Sequence, residues 1–379
     1  MKIAHLTSVH QRFDTRIFLK QCKSLSRKGW DVSLVVADGK NDEKRDSIDI
    51  YDVGIGGNRI ERFVLTTTKI FAKALELNAE IYHLHDPELI PIGLRLKKVG
   101  KIVVFDSHED VPLQIKTKPY LGRILGMLVA GLYKLYEKSA LKKFDLIVTS
   151  TTLIRDKMKQ INPDVIEIQN FPMIDEFPSE PNDWQMKENQ VCYIGSLTAI
   201  RGIKEMVKAI SLTNSDTRLV LEGSFSETSF EKKVKSLEGW KLTEYKGFLN
   251  RMAIKEILSK SIAGLVVLHP TCNHMDALPV KMFEYMSAGI PVIASNIPLW
   301  ESIVLGNNCG YCVDPFNSLE IAHAIEFFVS HPAVAETMGQ NGRKAVRNLY
   351  NWQNEEIKLI NAYEKLASQK LASQINSNA

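Results

Sequence analysis

A chain of 379 residues with 45% hydrophobic and 24% charged side chains has the material for two domains rather than one. Its net charge of +4, with no stripe of Arg and Lys interleaved with aromatics, does not indicate a nucleic-acid binder. The most apolar stretch, 124–133, is far shorter than the ~20 residues that span a bilayer.

Polar residues His5, His10, Arg12 and Asp14 interrupt the N-terminus where a secretory signal would be apolar, and five cysteines form no disulfide framework. The cytoplasm is the expected compartment. In chain order, residues 3–7 read as a buried strand, 8–15 as a polar loop, 16–28 as a helix stopped by Gly29, and 32–37 as a second strand. Strand 81–84, a helix from Pro87, strand 102–105, helix 121–140 and strand 146–149 continue the alternation. Strand–helix–strand order at short spacing marks a parallel sheet with helical crossovers.

The rhythm restarts with strand 191–194, helix 202–210, strand 218–221 and helix 230–237, then strand 265–268, helix 280–288 and strand 291–294. Between the series, 170–190 carries Pro172, Pro178 and Pro181 without periodicity and reads as a linker. The expected fold class is α/β, with two Rossmann-like domains facing each other across a cleft lined by the carboxyl ends of both sheets. The boundaries are 1–172, a linker at 173–190, and 191–351.

The richest stretch runs from Asp276 through Lys281 and Glu284 to Gly289-Ile290-Pro291-Val292. Pro279 suits a helix start and Gly289 its stop, so Lys281 and Glu284 share one face near the helix N-terminus. A phosphate there would meet backbone amides and an ammonium together, and Glu284 could accept from two ribose hydroxyls. The plainer alternative is an i,i+3 ion pair on the surface.

This stretch resembles the signature of family-4 retaining glycosyltransferases of the GT-B fold, of the bacterial surface-polysaccharide type. In that signature a loop acid is followed after seven residues by Glu, then by Ala-x-Gly-x-Pro-Val. The resemblance implies that Glu284 holds the donor ribose and Lys281 the diphosphate. The chain departs from it in having Asp276 where Glu is usual, which shortens the reach by roughly one carbon–carbon bond. Ala277-Leu278-Pro279 also stands in place of the usual Gly-Phe-Gly.

A second similar stretch is Tyr193 to Lys204, where Gly195 permits close backbone approach and Arg201, before Gly202, can fork to diphosphate oxygens. The family commonly carries a basic residue directly after the first glycine; Ser196 stands there, with Lys204 as a further cation. His108, at the end of strand 102–105, matches the histidine that the family places near the donor sugar. Base recognition in this fold falls near Phe248 and Leu249. The C-terminal helix, about 352–368, resembles the element with which such enzymes complete the first domain.

Other signals have several readings. Asp86 is an expected N-cap before Pro87 and Glu88, with His85 and Asp86 lining the cleft at most. In the loop after the first strand, Asp14 or Arg16 is placed on the acceptor side or at the donor phosphate. Cys309 and Cys312 lack a second pair for zinc, and no Walker loop or Asp-x-Asp occurs, so neither a metal nor another cofactor is expected. The basic, apolar run 123–136 reads as an interfacial helix facing anionic lipid or as a core helix with a wet edge.

The expectation is therefore transfer of a hexose from a nucleoside diphosphate sugar, UDP before GDP, with retention. The acceptor is a glycan, polyprenyl-linked, in polysaccharide or O-antigen biosynthesis at the inner face of the cell membrane. His108, Asp276, Lys281 and Arg201 would be catalytic, and the donor-binding set would be Glu284, Gly195, Lys204, Phe248 and Leu249. Asp14, Arg16 and Asp86 would lie on the acceptor side. The alternatives are a sugar-nucleotide epimerase of the same fold and a catalytically silent nucleotide-sugar-binding scaffold.

Overall fold

The structure, a computed structural model, describes residues 1–56, 62–107, 110–116, 122–176 and 184–378. It divides into two compact units, Met1–Asn170 with Glu355–Ala379, and Phe171–Asn354.

The first unit contains strands β1 (Lys2–Leu6), β2 (Asp31–Val36), β3 (Glu43–Arg45), β4 (Ile48–Asp52), β5 (Ile81–Leu84), β6 (Ile102–Ser107), β7 (Leu146–Thr149) and β8 (Val165–Glu167). They form one sheet in the order β3-β4-β2-β1-β5-β6-β7-β8, parallel except for the antiparallel β3–β4 pair. Strands β5, β6 and β7 are buried along their whole length, and strands covered on both faces read as unbroken apolar runs. The chain steps outward from β1 on one side and returns to β5 on the other. That reversal leaves a crevice at the carboxyl ends of β1 and β5.

The second unit contains β9 (Gln190–Ile194), β10 (Arg218–Glu222), β11 (Thr243–Gly247), β12 (Ala263–Val266), β13 (Val292–Ser295) and β14 (Gly310–Val313). Their order is β11-β10-β9-β12-β13-β14, all parallel, so the corresponding reversal lies between β9 and β12. Helix Val280–Ser287 packs Met282, Phe283, Tyr285 and Met286 into the core beside Trp300.

The expected long elements are present, with shifts. Residues 16–28 begin as π-helical turns, Thr15–Cys22, before the α-helix Lys23–Arg27. The helix expected at 230–237 is Thr228–Lys235. Short strands such as β3, all exposed and charged, carry no apolar alternation and escape a reading by period.

The core-helix alternative for 123–136 is corrected. On helix Arg123–Leu141 the side chains of Ile124, Leu125, Met127, Leu128, Leu132 and Leu135 are exposed. Its buried positions are Gly126, Ala130, Glu137, Ala140 and Leu141. Small residues make the inward contact, so the large apolar ones are left outside.

Candidate active site

In the second unit, Gly195 follows β9 with φ +120, and its N–H donates to both the backbone oxygen and the carboxylate Oε2 of Glu222 at 3.1 Å. That carboxylate, buried at the end of β10, also accepts from the Leu249 N–H at 3.1 Å. Glu222 thus ties the turn after β9 to the loop after β11. The glycines are obligatory here. A Cβ on Gly223 would lie 2.0 Å from the Gly195 oxygen, and one on Gly202 only 1.9 Å from the Val267 oxygen.

Two cations converge over Gly195. A Cβ there would stand 3.0 Å from Lys281 Nζ and 3.9 Å from Arg201 Nη1. Lys281 starts in the first turn of helix Val280–Ser287, whose N-terminus has no side-chain cap. Its Nζ is buried, makes no hydrogen bond, and lies 3.6 Å from the centroid of the Tyr193 ring. Burial, and then the charge of Arg201, hold its pKa well below the ordinary lysine value, against the opposing pull of Glu284 and Glu222. A buried ammonium without a hydrogen-bond partner, beside a second cation, is costly unless an anion completes the set. Tyr193, fully buried, donates its hydroxyl to the Ser196 oxygen at 3.0 Å, and burial, opposed by Arg201, pushes its pKa up to about 12.

The Lys281–Glu284 ion pair that helix spacing allows does not form. Glu284 Oε1 lies 2.7 Å from Arg251 Nη2, and Arg251 Nε lies 2.6 Å from Glu176 Oε1. Asp276 is exposed at the end of the short helix Cys272–Met275. The following Ala277 oxygen is pinned at 2.7 Å by the indole N–H of buried Trp300. Lys204 is half-buried in the first turn of helix Ile203–Ile210, Phe248 is 83% exposed, and Leu249 is half-buried. His108 lies outside the described residues.

Glu222, Arg251 and Glu176 were missed by sequence reasoning. An acid ending the buried run Leu219-Val220-Leu221, just before Gly223, is a usable signal for Glu222. Arg251 and Glu176 have no local one. A cavity of about 350 Å³ between Arg218, Lys246 and Lys260 shares only Leu249 with the expected set, and its charges already pair with Glu188, Glu244 and Glu256.

In the first unit several expectations are corrected. Asp86 has N-cap backbone angles but makes no cap bond. Its buried carboxylate accepts from Thr7 Oγ1 at 2.8 Å, Ser8 N at 2.6 Å and Ser8 Oγ at 3.2 Å, because the loop after β1 supplies closer donors. Arg16 is buried, with its guanidinium engaged by protein groups. It forks to Asp106 at 2.9 and 3.0 Å and donates to the Ile168 oxygen at 2.8 Å. Asp14 caps the π-helical turns through the Arg16 and Ile17 amides. Burial would raise its pKa, but His10 and those amides bring it to about 2.

His85 does not line an open face. It is fully buried with His5 and His83, accepting or donating at 2.9 Å with His5, while Tyr363 bonds His83 at 2.8 Å. Burial first, and the neighbouring rings next, lower the pKa of His5 and His83, and burial lowers that of His85. These three are the metal-compatible group among the described residues, with ligand atoms within 4.8 Å. Yet the His85 ring stacks on His5 at 14° and on His83 at 28°. Lone pairs lie in the ring planes, so near-parallel rings suit a neutral hydrogen-bonded stack and not one shared ion.

Two α/β units, the second with paired cations over a glycine turn at its sheet reversal, have the GT-B fold of the glycosyltransferases on which they superpose. The family model of the glycosyl transferases group 1 matches residues 175–345 of the chain. It is 22% identical over 370 residues to the capsular polysaccharide biosynthesis glycosyltransferase CapM of Staphylococcus aureus, covering 93% of this chain and 94% of that one. A phosphatidyl-myo-inositol mannosyltransferase of Mycobacterium leprae is 22% identical over 303 residues, covering 76% and 74%.

Among solved structures, sucrose-phosphate synthase of Thermosynechococcus elongatus superposes with a TM-score of 0.77 at 18% identity, covering 97% and 99%. HepE of Anabaena in complex with UDP-glucose gives 0.72 at 15% identity, covering 97% and 100%.

Proposed function

We propose that the enzyme transfers a hexose from a nucleoside diphosphate sugar, UDP-linked before GDP-linked, to a glycan acceptor with retention at the anomeric carbon. The observation that carries this reading is the buried Lys281 ammonium, without a hydrogen-bond partner, beside Arg201 over Gly195. Two preorganised cations and an uncapped helix N-terminus match a departing diphosphate, where negative charge develops. Lys281 and Arg201 would neutralise that charge themselves, so no metal is invoked. Glu284 would take the ribose and Asp276 the sugar hydroxyls. His108 would stand near the reacting carbon.

The UDP-glucose complex of the HepE neighbour supports a uridine donor, and the CapM relative supports polysaccharide assembly. No helix among the described residues is long and apolar enough to cross a membrane. Instead the exposed apolar side of helix Arg123–Leu141, with Lys134, Lys138 and Lys142 beside it, supports docking on anionic lipid and hence a polyprenyl-linked acceptor.

The test is a screen of UDP and GDP sugars by thermal shift and nucleotide release, in chelator. Stabilisation by one nucleotide class, lost in Glu284→Ala, is expected. Absence of any response to all of them would overturn the donor reading. For the lipid face, the protein should sediment with phosphatidylglycerol vesicles and not with phosphatidylcholine. Undiminished sedimentation of a Leu128→Asp, Leu132→Asp variant would refute that surface.

A further inference from the structure

The helix Val280–Ser287 sorts its two charges in opposite directions. Lys281 enters the glycine turn, and Glu284 turns to Arg251. Arg251 is the first residue of helix Arg251–Lys260, and that end is fixed by two further contacts. Asn250 caps it by accepting from the Ala253 N–H at 3.0 Å, and Leu249 donates to Glu222 at 3.1 Å. Behind Arg251, Glu176 binds Nε at 2.6 Å from the turn Ile174–Glu176. The Ile174 N–H is itself held by the Gln353 side chain at 3.2 Å.

We infer that Arg251, anchored by Glu176, is a positioning residue that sets the Glu284 carboxylate for a donor ribose. The inference rests on the donor reading of Glu284. Arg251 takes Oε1 at 2.7 Å, which restrains the carboxylate and leaves Oε2 to accept from a ribose hydroxyl. A carboxylate held at one oxygen by an anchored guanidinium N–H is restrained in orientation, whereas a free one at 12% exposure rotates about its last torsion. The arrangement also couples sites. The segment 248–251 is tied at one end to the carboxylate that braces Gly195 and at the other to the carboxylate assigned to ribose. Base, ribose and diphosphate contacts thus share one short brace. Specificity for a ribonucleotide would then depend on a residue that never touches it.

The experiment measures binding of UDP and GDP, each with its 2′-deoxy and 3′-deoxy analogues, to the full chain. The variants are Arg251→Met, Arg251→Lys, Glu176→Gln and Glu284→Gln. Wild type should favour the ribonucleotide over the poorer deoxy analogue by about tenfold or more, the scale of one hydrogen bond to a charged group. In Arg251→Met that preference should shrink to within about threefold, with affinity for the deoxy analogue nearly unchanged. Donor KM should rise about tenfold while kcat changes little, and Arg251→Lys should recover part of the preference.

Glu176→Gln leaves Arg251 in place and should move the same way by less. It serves as the readout if Arg251→Met melts early. An intact preference in both Arg251→Met and Glu176→Gln, or equal weakening of ribo and deoxy forms, overturns the positioning role. A wild type that binds neither nucleotide, or binds without regard to either hydroxyl, overturns the donor reading of Glu284 instead.

Discussion

Replacing Lys281 with Met should make the enzyme more stable and worse at its work. The lysine side chain is buried over Tyr193 with a cation that no protein group hydrogen-bonds. Leaving a buried polar group unsatisfied costs about 1–3 kcal/mol. Met keeps the packing on the ring and removes the charge. In a unit the size of Phe171–Asn354 the gain corresponds to a rise in Tm of ~2–12 °C for the free enzyme. The donor diphosphate loses one charge-assisted contact of about 1.5–3 kcal/mol, or roughly 10–150-fold in Kd.

The pH dependence has a definite sign. Because burial lowers the pKa of Lys281, the unfolded chain holds a proton that the folded chain has released, between that lowered value and the ordinary ~10.4. Stability of the free wild type therefore rises with pH across this window, and the Met variant lacks the rise. Donor affinity of the wild type should fall over the same window, as the neutral amine must first take up a proton. Calorimetric melting with and without UDP, at several pH values, measures both. A Met variant that melts lower, or binds UDP as well as wild type, would refute the reasoning.

Ser196→Arg, introduced into Lys281→Met, should recover about tenfold in UDP affinity, since an arginine beside Gly195 can reach the same anion; titration calorimetry decides it, and no recovery speaks against a shared site. Glu137 is pushed up to about 7 by burial, with Lys157 opposing and Asp110 adding to the shift. The folded chain therefore holds a proton the unfolded one has lost between about pH 4.5 and 7, so its contribution to stability falls as pH rises through that range. Glu137→Gln should flatten that slope and gain up to about 3 kcal/mol at pH 8, measured by urea unfolding. Asp106→Asn, which leaves the Arg16 guanidinium buried without its counter-charge, should cost about 3–5 kcal/mol in the same assay; a loss under 1 kcal/mol would show that the pair is solvated.

The sheets were legible because β5, β6, β7, β9, β12 and β13 are short, fully buried and mostly apolar runs separated by helices, whereas β11, Thr243–Gly247, is polar and partly exposed and gave no such signal. The placement of Lys281 and Glu284 on one helix turn was legible too, from Pro279, Gly289 and their spacing. What spacing could not decide was the partner of each. Glu284 reaches Arg251, 33 positions away, and Arg251 reaches Glu176, 75 away, through a fold that must exist before the contact does. The first unit shows the same limit. Arg16 and Asp106 are 90 positions apart, and His5 and His85 are 80 apart. Each looks like a solvated loop or strand-end residue until β1, β5 and β6 align side by side.

A local pattern reports which face a residue occupies, not which distant charge answers it, and the Gly195 turn makes the consequence concrete. The resembled family commonly sets a basic residue directly after this glycine, where the chain has exposed Ser196. By position this turn carries one cation fewer than the resembled family does. Lys281 Nζ, the cation that the resemblance assigns to the diphosphate, arrives at the same glycine from a helix 86 residues later and stands 3.0 Å from where a Gly195 side chain would begin. Coming from inside the protein, this cation is desolvated and held against Tyr193, whereas one on Ser196 would sit in water. A desolvated charge interacts more strongly with a diphosphate and weakens the empty site by a similar amount. On the proposed donor reading, the same side chain carries both halves of a trade between stability and donor binding.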